Sequence, residues 1–389
     1  MDTARQITPA DADIVVFNKG GRDFRIDQLS RGEEVPRDFF YGYFDLLDAG
    51  MSAAMMSSAG AEAGAAGRVA DVCERAFARL TAVGARPMTA RLKLRPVRNA
   101  KVLISNTDGF SLSMGLAFPG KAARPVLIGG FQGLSDIEDR SPASARPLVR
   151  AVLRRALAGL DLTYFLSPAD RDAAVARYGL DPVKAGFLPF GIDTAYWRPC
   201  PEVPQENFVF AIGQDWNRDF ATLVRAPGKQ PIRIVTSLKV DVPAGHDHVT
   251  ITPGDFSGRS ISDQELRRLY NAARVVVVPS KDVHQPTGQS VSLQAMSCGR
   301  PLILTRIRGL WAPDLLRDGE NCLLVPPGDA VALGAAINRV VEDRALAERL
   351  GRAARETVVA HWGLERTGEV MVDLARRGLS LYAARTSAH

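Results

Sequence analysis

Short runs of apolar, largely β-branched residues alternate along this chain with longer stretches in which apolar positions recur at helical spacing. In the first half the runs predict strands at Ile14–Phe17, Ala53–Ser57, Val102–Ser105, Val126–Gly129, Leu162–Leu166 and Phe187–Phe190, with helices such as Arg68–Val83 and Pro147–Leu160 between them. In the second half they predict strands at Phe208–Ile212, Ile232–Thr236, Val249–Thr252, Val275–Pro279, Leu302–Thr305 and Cys322–Val325. The helices there fall at Asp219–Arg225, Asp263–Ala272, Gln289–Cys298 and Ala330–Glu342. Strands that alternate with helices imply βαβ units and parallel sheets. The unbroken Val275–Val278 run fits a strand buried on both faces. Six strands, a proline-rich break at Trp197–Pro204 and six further strands predict an α/β chain of two doubly wound domains, residues 1–197 and 198–363. The break reads as linker, and the Gly/Ala-rich stretch Ala59–Gly67 as a loop. Ligands of such sheets sit beyond the carboxyl ends of the strands. The chemistry is therefore expected in the post-strand loops, in a cleft between the two domains.

Composition narrows the class. The chain has 389 residues, 46% of them hydrophobic, which is enough for sizeable cores. No run approaches the ~18 consecutive apolar residues of a spanning helix. The polar start Met1–Asp13 is unlike a secretory leader, so a cytoplasmic location is expected. Cys73, Cys200, Cys298 and Cys322 are widely spaced and read as reduced, mostly buried thiols. The net charge of +6 favours an acidic partner. Its basic residues cluster at Arg86, Arg91, Lys93, Arg95, Arg98 and Lys101, and again at Arg146, Arg150, Arg154 and Arg155. Arg91-Leu-Lys-Leu-Arg95 interleaves cations with apolar residues, as a face lying on an anionic membrane would. The plainer reading is a solvated surface. No nucleic-acid motif is present, and no nucleic-acid partner is expected.

The chemistry-bearing stretch is Val275 to Pro301, VVVVPSKDVHQPTGQSVSLQAMSCGRP. A buried strand ends in a loop containing Gly288, and a helix starts near Gln289 or Ser290. Unpaired first-turn amides and the positive end of the helix dipole form an anion site. The amides of Gln289, Ser290 and Val291 are candidates to hold a diphosphate; the alternative is an ordinary βα turn with Ser290 as N-cap. A second loop, Gly213-Gln-Asp-Trp-Asn-Arg-Asp219, offers the cation Arg218. In the first half, Gly20 and Gly21 follow the first strand without a helix beginning at once. Ser105–Gly109 presents Asn106 and Asp108, with Asp108 as a helix N-cap the alternative. Gly129–Gly133 forms a third such loop.

The segment resembles the signature of the retaining family 4 glycosyltransferases of the GT-B fold: Glu, seven residues, Glu, Ala-Met-Ala, then Gly-x-Pro. Gln294-Ala-Met-Ser297 and Gly299-Arg-Pro301 match its second half. Phe190–Asp193, Gly213–Leu223, Leu269–Ser280, Asp318–Val325 and His361-Trp362 resemble further family elements in the family's order. The likeness runs from about Phe190 to the end. It departs at Gln294, where the ribose-binding glutamate would stand, and at Pro286, where the sugar-contacting glutamate would stand. Gln214 likewise occupies the place of a diphosphate-binding arginine.

The resemblance implies two Rossmann-like domains facing a cleft, the final helix at about 364–389 packing back on the first. It implies transfer of a hexose-type sugar, with retention, from a nucleotide diphosphate sugar to a hydroxyl acceptor in envelope polysaccharide or glycolipid synthesis, without a metal or other cofactor. A lipid-linked acceptor would suit peripheral attachment at the inner membrane face. Arg218, Asp108 and Gln294 are the expected catalytic residues. Gly20, Gly21, Gly213, Lys239, Pro253, His284, Gly288, Gln289, Ser290 and Val291 are the expected donor contacts. Competing readings are a catalytically silent nucleotide-sugar-binding protein and a sugar-nucleotide epimerase. A dinucleotide oxidoreductase is disfavoured by the missing GxGxxG fingerprint.

Overall fold

The structure, a computed structural model, describes residues 8–58, 65–81, 83–118, 124–254 and 260–387. Of the expected Ala59–Gly67 loop, residues 59–64 lie outside them, and Ala65 opens a helix instead. The chain forms two compact units. One comprises Met1–Asp23, Phe40–Pro189 and Thr367–His389; the other comprises Phe24–Phe39 and Phe190–Arg366.

The first unit holds a six-stranded, all-parallel sheet: β1 (Ile14–Asn18), β2 (Ala53–Ser57), β3 (Val102–Ser105), β4 (Val126–Phe131), β5 (Leu162–Phe165) and β6 (Ala185–Phe187), in the order β2-β1-β3-β4-β5-β6. The last strand lies earlier than the apolar run Phe187–Phe190 suggests; Leu188 N still donates to the Phe165 carbonyl of β5 at 2.9 Å, and Leu188 to Phe190 are buried beyond the strand's end. The helices Asp108–Ala117 and Pro168–Tyr178 are additions to the sequence reading. The second of these has local causes: Ser167 Oγ accepts from the Asp170 amide, Pro168 occupies the first turn, and Gly179 closes it at φ 70°.

The second unit holds β7 (Val209–Ile212), β8 (Ile232–Thr236), β9 (Val249–Pro253), β10 (Val275–Val278), β11 (Leu302–Thr305) and β12 (Leu323–Val325). Their order is β12-β11-β10-β7-β8-β9, again all parallel. Counted within the unit this is 6-5-4-1-2-3, the dinucleotide-fold order, whose direction reverses between β7 and β10. Val275–Val278 are all buried. Caps are explicit in the sequence here too. Ser262 Oγ accepts from Glu265 N at 3.0 Å to open Asp263–Ala272, and Asp329 and Asp343 open the next two helices. No helix among the described residues is long and apolar enough to cross a membrane.

The proline-rich break is not a free linker. Trp197 is fully buried, its Nε1–H donating to Asp38 Oδ1 at 3.1 Å. The Asn271 side chain accepts from Cys200 N and donates to the Arg198 carbonyl. A large ring that must leave water, and backbone groups that need partners, tie the segment into the second unit. Cys298 and Cys322 are buried thiols, whereas Cys73 is exposed and Cys200 half-buried.

Burial also sets a pH dependence. Asp38 is fully enclosed, and desolvation pushes its carboxyl up to about 7, against the lowering effect of the Trp197 hydrogen bond. An acid whose folded pKa is raised contributes stability that is complete below its unfolded value, near 3.8, and is lost as pH rises through about 7. Asp38→Asn is therefore expected to flatten the fall in melting temperature between pH 5 and pH 8. Identical pH profiles for the two chains would remove Asp38 as the source. Asp170 in the first unit is raised to about 7 for the same reason and leaves a residual slope.

Candidate functional site

The second unit brings its site together at the carboxyl ends of β7 and β10, where the strand order reverses. The loop after β7 runs beside the loop after β10: Asp219 N donates to the Pro279 carbonyl at 3.0 Å and Lys281 N to the Asn217 carbonyl at 2.8 Å. Arg218 and Ser280 form an antiparallel bridge between them. This arrangement carries the Arg218 side chain inward, to 6% exposure. Its guanidinium lies against Gly213 and Gly288: a Cβ on Gly288 would stand 2.5 Å from Arg218 Nη1, and one on Gly213 would stand 3.0 Å from Arg218 Cγ. These glycines leave room that the arginine fills.

The electrostatics of that arginine are unusual. Its Nε and Nη1 are buried without a hydrogen-bond partner. Desolvation lowers its pKa, with the Asp215 charge opposing. Three hydroxyls on the adjoining loop and first helical turn, Ser280 Oγ, Thr287 Oγ1 and Ser290 Oγ, are likewise buried and unpartnered. Buried polar groups are normally satisfied, so five such atoms on two adjacent loops mark a place for a polar ligand.

Gly288, at φ 86°, is the N-cap of the helix Gln289–Ser297; Ser290 lies inside the first turn. The sequence alternative of Ser290 as cap is therefore corrected: only glycine takes the left-handed cap conformation cheaply. Gln289 N donates to the Pro286 carbonyl at 3.2 Å, and Ser292 N to Gly288 O at 2.9 Å. That leaves the amides of Ser290 and Val291 pointing out of the helix end, beside the Arg218 cation. Gly288→Ala is expected to destabilise the chain by about 1–3 kcal/mol and to weaken diphosphate binding, because the new methyl would overlap Val278 Cγ1 and crowd Arg218. Thermal melting, and titration with whichever nucleoside diphosphate binds the unaltered chain, check this; unaltered affinity would sink it.

Other expected residues stand apart. Gln294 is fully buried within the helix; its Oε1 accepts from Tyr270 Oη at 2.9 Å, and its Nε2 is unpartnered. Lys239 is 89% exposed and pairs with Asp241 at 3.5 Å. Pro253 ends the edge strand β9, two strands from β7. His284 is half-buried in the loop after β10, its carbonyl against Gly309. Near it, Asp215 Oδ2 accepts from Gln285 Nε2 at 3.0 Å, and Asn217 Nδ2 donates to Gln285 Oε1 at 3.0 Å. This cross-link holds the two loops in register. Ser280, Thr287 and the Asp215–Gln285–Asn217 link were missed by sequence reading. The signal was there as small hydroxyl residues directly after an apolar run.

The first unit gathers a second polar cluster where its strand order reverses, between β1 and β3. Asn106 Nδ2 donates to Asn18 Oδ1 at 2.5 Å, and Tyr164 Oη donates to Asn106 Oδ1. Asp108 is not an N-cap; Thr107 is, and Asp108 is the first helical residue. Its carboxylate accepts from the amides of Gln132 and Gly133 at 3.1 and 3.2 Å, while burial raises its pKa. Gly20 and Gly21 follow β1, and the helix Arg22–Ser30 begins immediately after them, contrary to the sequence reading. Gly21 at φ 96° supplies the sharp turn. Of the basic clusters, Arg86 pairs with Asp71, Lys101 with Asp13 and Arg150 with Glu138, and Lys93 is buried.

Comparison with known proteins shows what the chain is similar to. Residues 230–343 match the family model described as glycosyl transferases group 1. Alpha-maltose-1-phosphate synthase of Mycobacterium tuberculosis is 27% identical over 244 residues, 54% of this chain and 62% of that protein. The GDP-mannose-dependent alpha-(1-6)-phosphatidylinositol monomannoside mannosyltransferase of the same species is 26% identical over 266 residues, 60% of this chain and 66% of that protein. The chain thus spans a little under two thirds of the length of these relatives. Among solved structures, HepE of Anabaena in complex with UDP-glucose superimposes with a TM-score of 0.65 at 15% identity, over 94% of this chain and 99% of that one. Residues 230–343 thus resemble the group 1 glycosyl transferases, and the two parallel-sheet units have the GT-B fold.

Proposed function

We propose that the chain transfers a hexose-type sugar from a nucleoside diphosphate sugar to a hydroxyl acceptor, with retention of configuration. The observation that carries this reading is the buried Arg218 guanidinium with two unpartnered nitrogens at the switch point, beside unpartnered hydroxyls and a helix N-terminus. A diphosphate supplies the charge and acceptor oxygens that these donors lack. As the glycosidic bond breaks, negative charge grows on the leaving diphosphate, and prealigned donors stabilise that charge more than the ground state. No metal has a part in this reading, because Arg218 and the amides supply the countercharge. Retention rests on the family resemblance. The polar loop ends of the first unit are assigned to the acceptor, and a lipid-linked acceptor in envelope glycolipid or polysaccharide synthesis is supported by the name of the mannosyltransferase relative.

Titration of UDP, GDP, ADP and TDP into the purified protein tests the donor site. One diphosphate is expected to bind clearly and to lose at least tenfold in affinity with Arg218→Ala. No heat with any of the four would overturn the reading. A second reading, binding without transfer, draws on Gln294, whose buried amide is bonded to Tyr270 where the family places a ribose-binding glutamate. Product formation from the matching donor across an acceptor panel excludes it.

A further inference from the structure

A cavity of the second unit lies at the opposite end of the strands from Arg218. It occupies about 720 Å³ and is lined by the segment preceding β7, by Arg274 just before β10, by Arg300 just before β11, and by Glu348, Arg352, Arg355 and Glu356 of the helix Arg344–His361. Those strand positions are amino ends, whereas Arg218 and Gly288 follow carboxyl ends. The cavity is thus separated from the donor site by the length of the strands.

Its lining carries four arginines, Arg274, Arg300, Arg352 and Arg355, against two carboxylates, Glu348 and Glu356. Arg274 donates to Gln205 Oε1 and to the Val341 carbonyl. Arg355 Nη1 donates to the carbonyls of Thr194, Trp197 and Ser297. For Arg300 the side-chain hydrogen bond among the described residues runs from Nε to the Cys298 carbonyl at 3.5 Å. All these partners are neutral. Arg300 and Arg355 are both half-buried, and that burial lowers the pKa of each. Glu348 pairs with Arg344 at 2.7 Å and its charge also reaches Arg352 and Arg274, which leaves Arg300 and Arg355 as the cations bonded to neutral groups. A desolvated guanidinium without a counter-ion is costly, and a bound anion relieves that cost. The planar fork of arginine matches phosphate oxygens in pairs. The volume falls within the roughly 300–1,000 Å³ range of small-molecule sites.

We propose that this arginine-lined cavity is a binding site for a small phosphate-bearing anion, distinct from the donor site. The proposal is independent of the glycosyltransferase reading. Inorganic pyrophosphate is the probe, titrated into the full chain carrying Arg218→Ala so that the donor-site cation is absent. Binding is expected to persist there, and to weaken at least tenfold when Arg300→Gln and Arg352→Gln are added. No isotherm in the Arg218→Ala chain, or equal affinity with and without the added substitutions, would overturn it. Thermal melting of each variant checks folding. An independent measurement needs no variant: phenylglyoxal labelling of the native protein with peptide mapping, in which pyrophosphate is expected to protect Arg300 and Arg352. Labelling of both that is indifferent to pyrophosphate would also overturn it. Ribose 5-phosphate that competes more strongly than inorganic phosphate supports a sugar-borne phosphate as the ligand; the reverse order supports a free one.

Discussion

Arg218→Ala is expected to lower turnover by about 10²–10³-fold, the usual effect of deleting one prealigned donor from a site of developing negative charge. On the proposed reading diphosphate affinity falls with it, because the same guanidinium would face the ligand before and during reaction. Stability is expected to move little. The arginine is buried with Nε and Nη1 unpartnered, so its removal relieves an uncompensated desolvation while forfeiting the packing of its stem. A melting shift smaller than about 4 °C, on the order of 1 kcal/mol, is the expected outcome. Arg218→Lys should fall between wild type and Ala, since an ammonium keeps the charge and loses the fork. Unchanged turnover would remove Arg218 from the mechanism. A collapsed melting temperature would show instead that its role is structural.

Asp263→Ala has the largest expected effect on stability, about 3–5 kcal/mol. Arg25 is 1% exposed and bonds Asp263 bidentately, Nε to Oδ2 and Nη2 to Oδ1, each at 2.8 Å, with its guanidinium 4.3 Å over the Phe39 ring. Deleting the carboxylate removes both of these charge-assisted bonds from a buried cation. It also removes an acid from the first turn of Asp263–Ala272, where the dipole favours negative charge. Replacing both partners with apolar residues, Arg25→Met with Asp263→Leu, should recover most of the loss, because neither charge is then left buried alone. All four tryptophans, Trp197, Trp216, Trp311 and Trp362, lie in the second unit, so their fluorescence in urea follows that unit by itself. A single variant as stable as wild type would show the pair to be dispensable.

The Asp263 pair also shows where sequence reading stops. Val275–Val278, the Ser262–Glu265 cap and the Asp329 and Asp343 caps are local facts: unbroken apolar runs and side chains that bond amides three residues on. The apolar runs placed the second-half strands to within about a residue, whereas the caps at Ser262, Asp329 and Asp343 are local signals that the sequence reading did not use. The glycine-containing loop after β10 and the cation after β7 were legible for the same reason, since strand ends open into loops. What lay beyond local pattern was partnership across the chain. That Phe24–Phe39 belongs with the second unit follows from Arg25 meeting Asp263, 238 residues away, and from Trp197 meeting Asp38. That Arg218 is buried rather than solvated depends on the space left by Gly213 and Gly288. That Lys239 faces water and Gln294 faces Tyr270 depends on strand order and helix rotation. The sequence alone determined the elements, the parallel α/β class and the loops able to carry chemistry, because propensity, periodicity and capping act within a few residues. Only the tertiary structure decided which side chains share a site and which charges stay unpaired, because burial and hydrogen-bond satisfaction are settled between segments far apart in the chain.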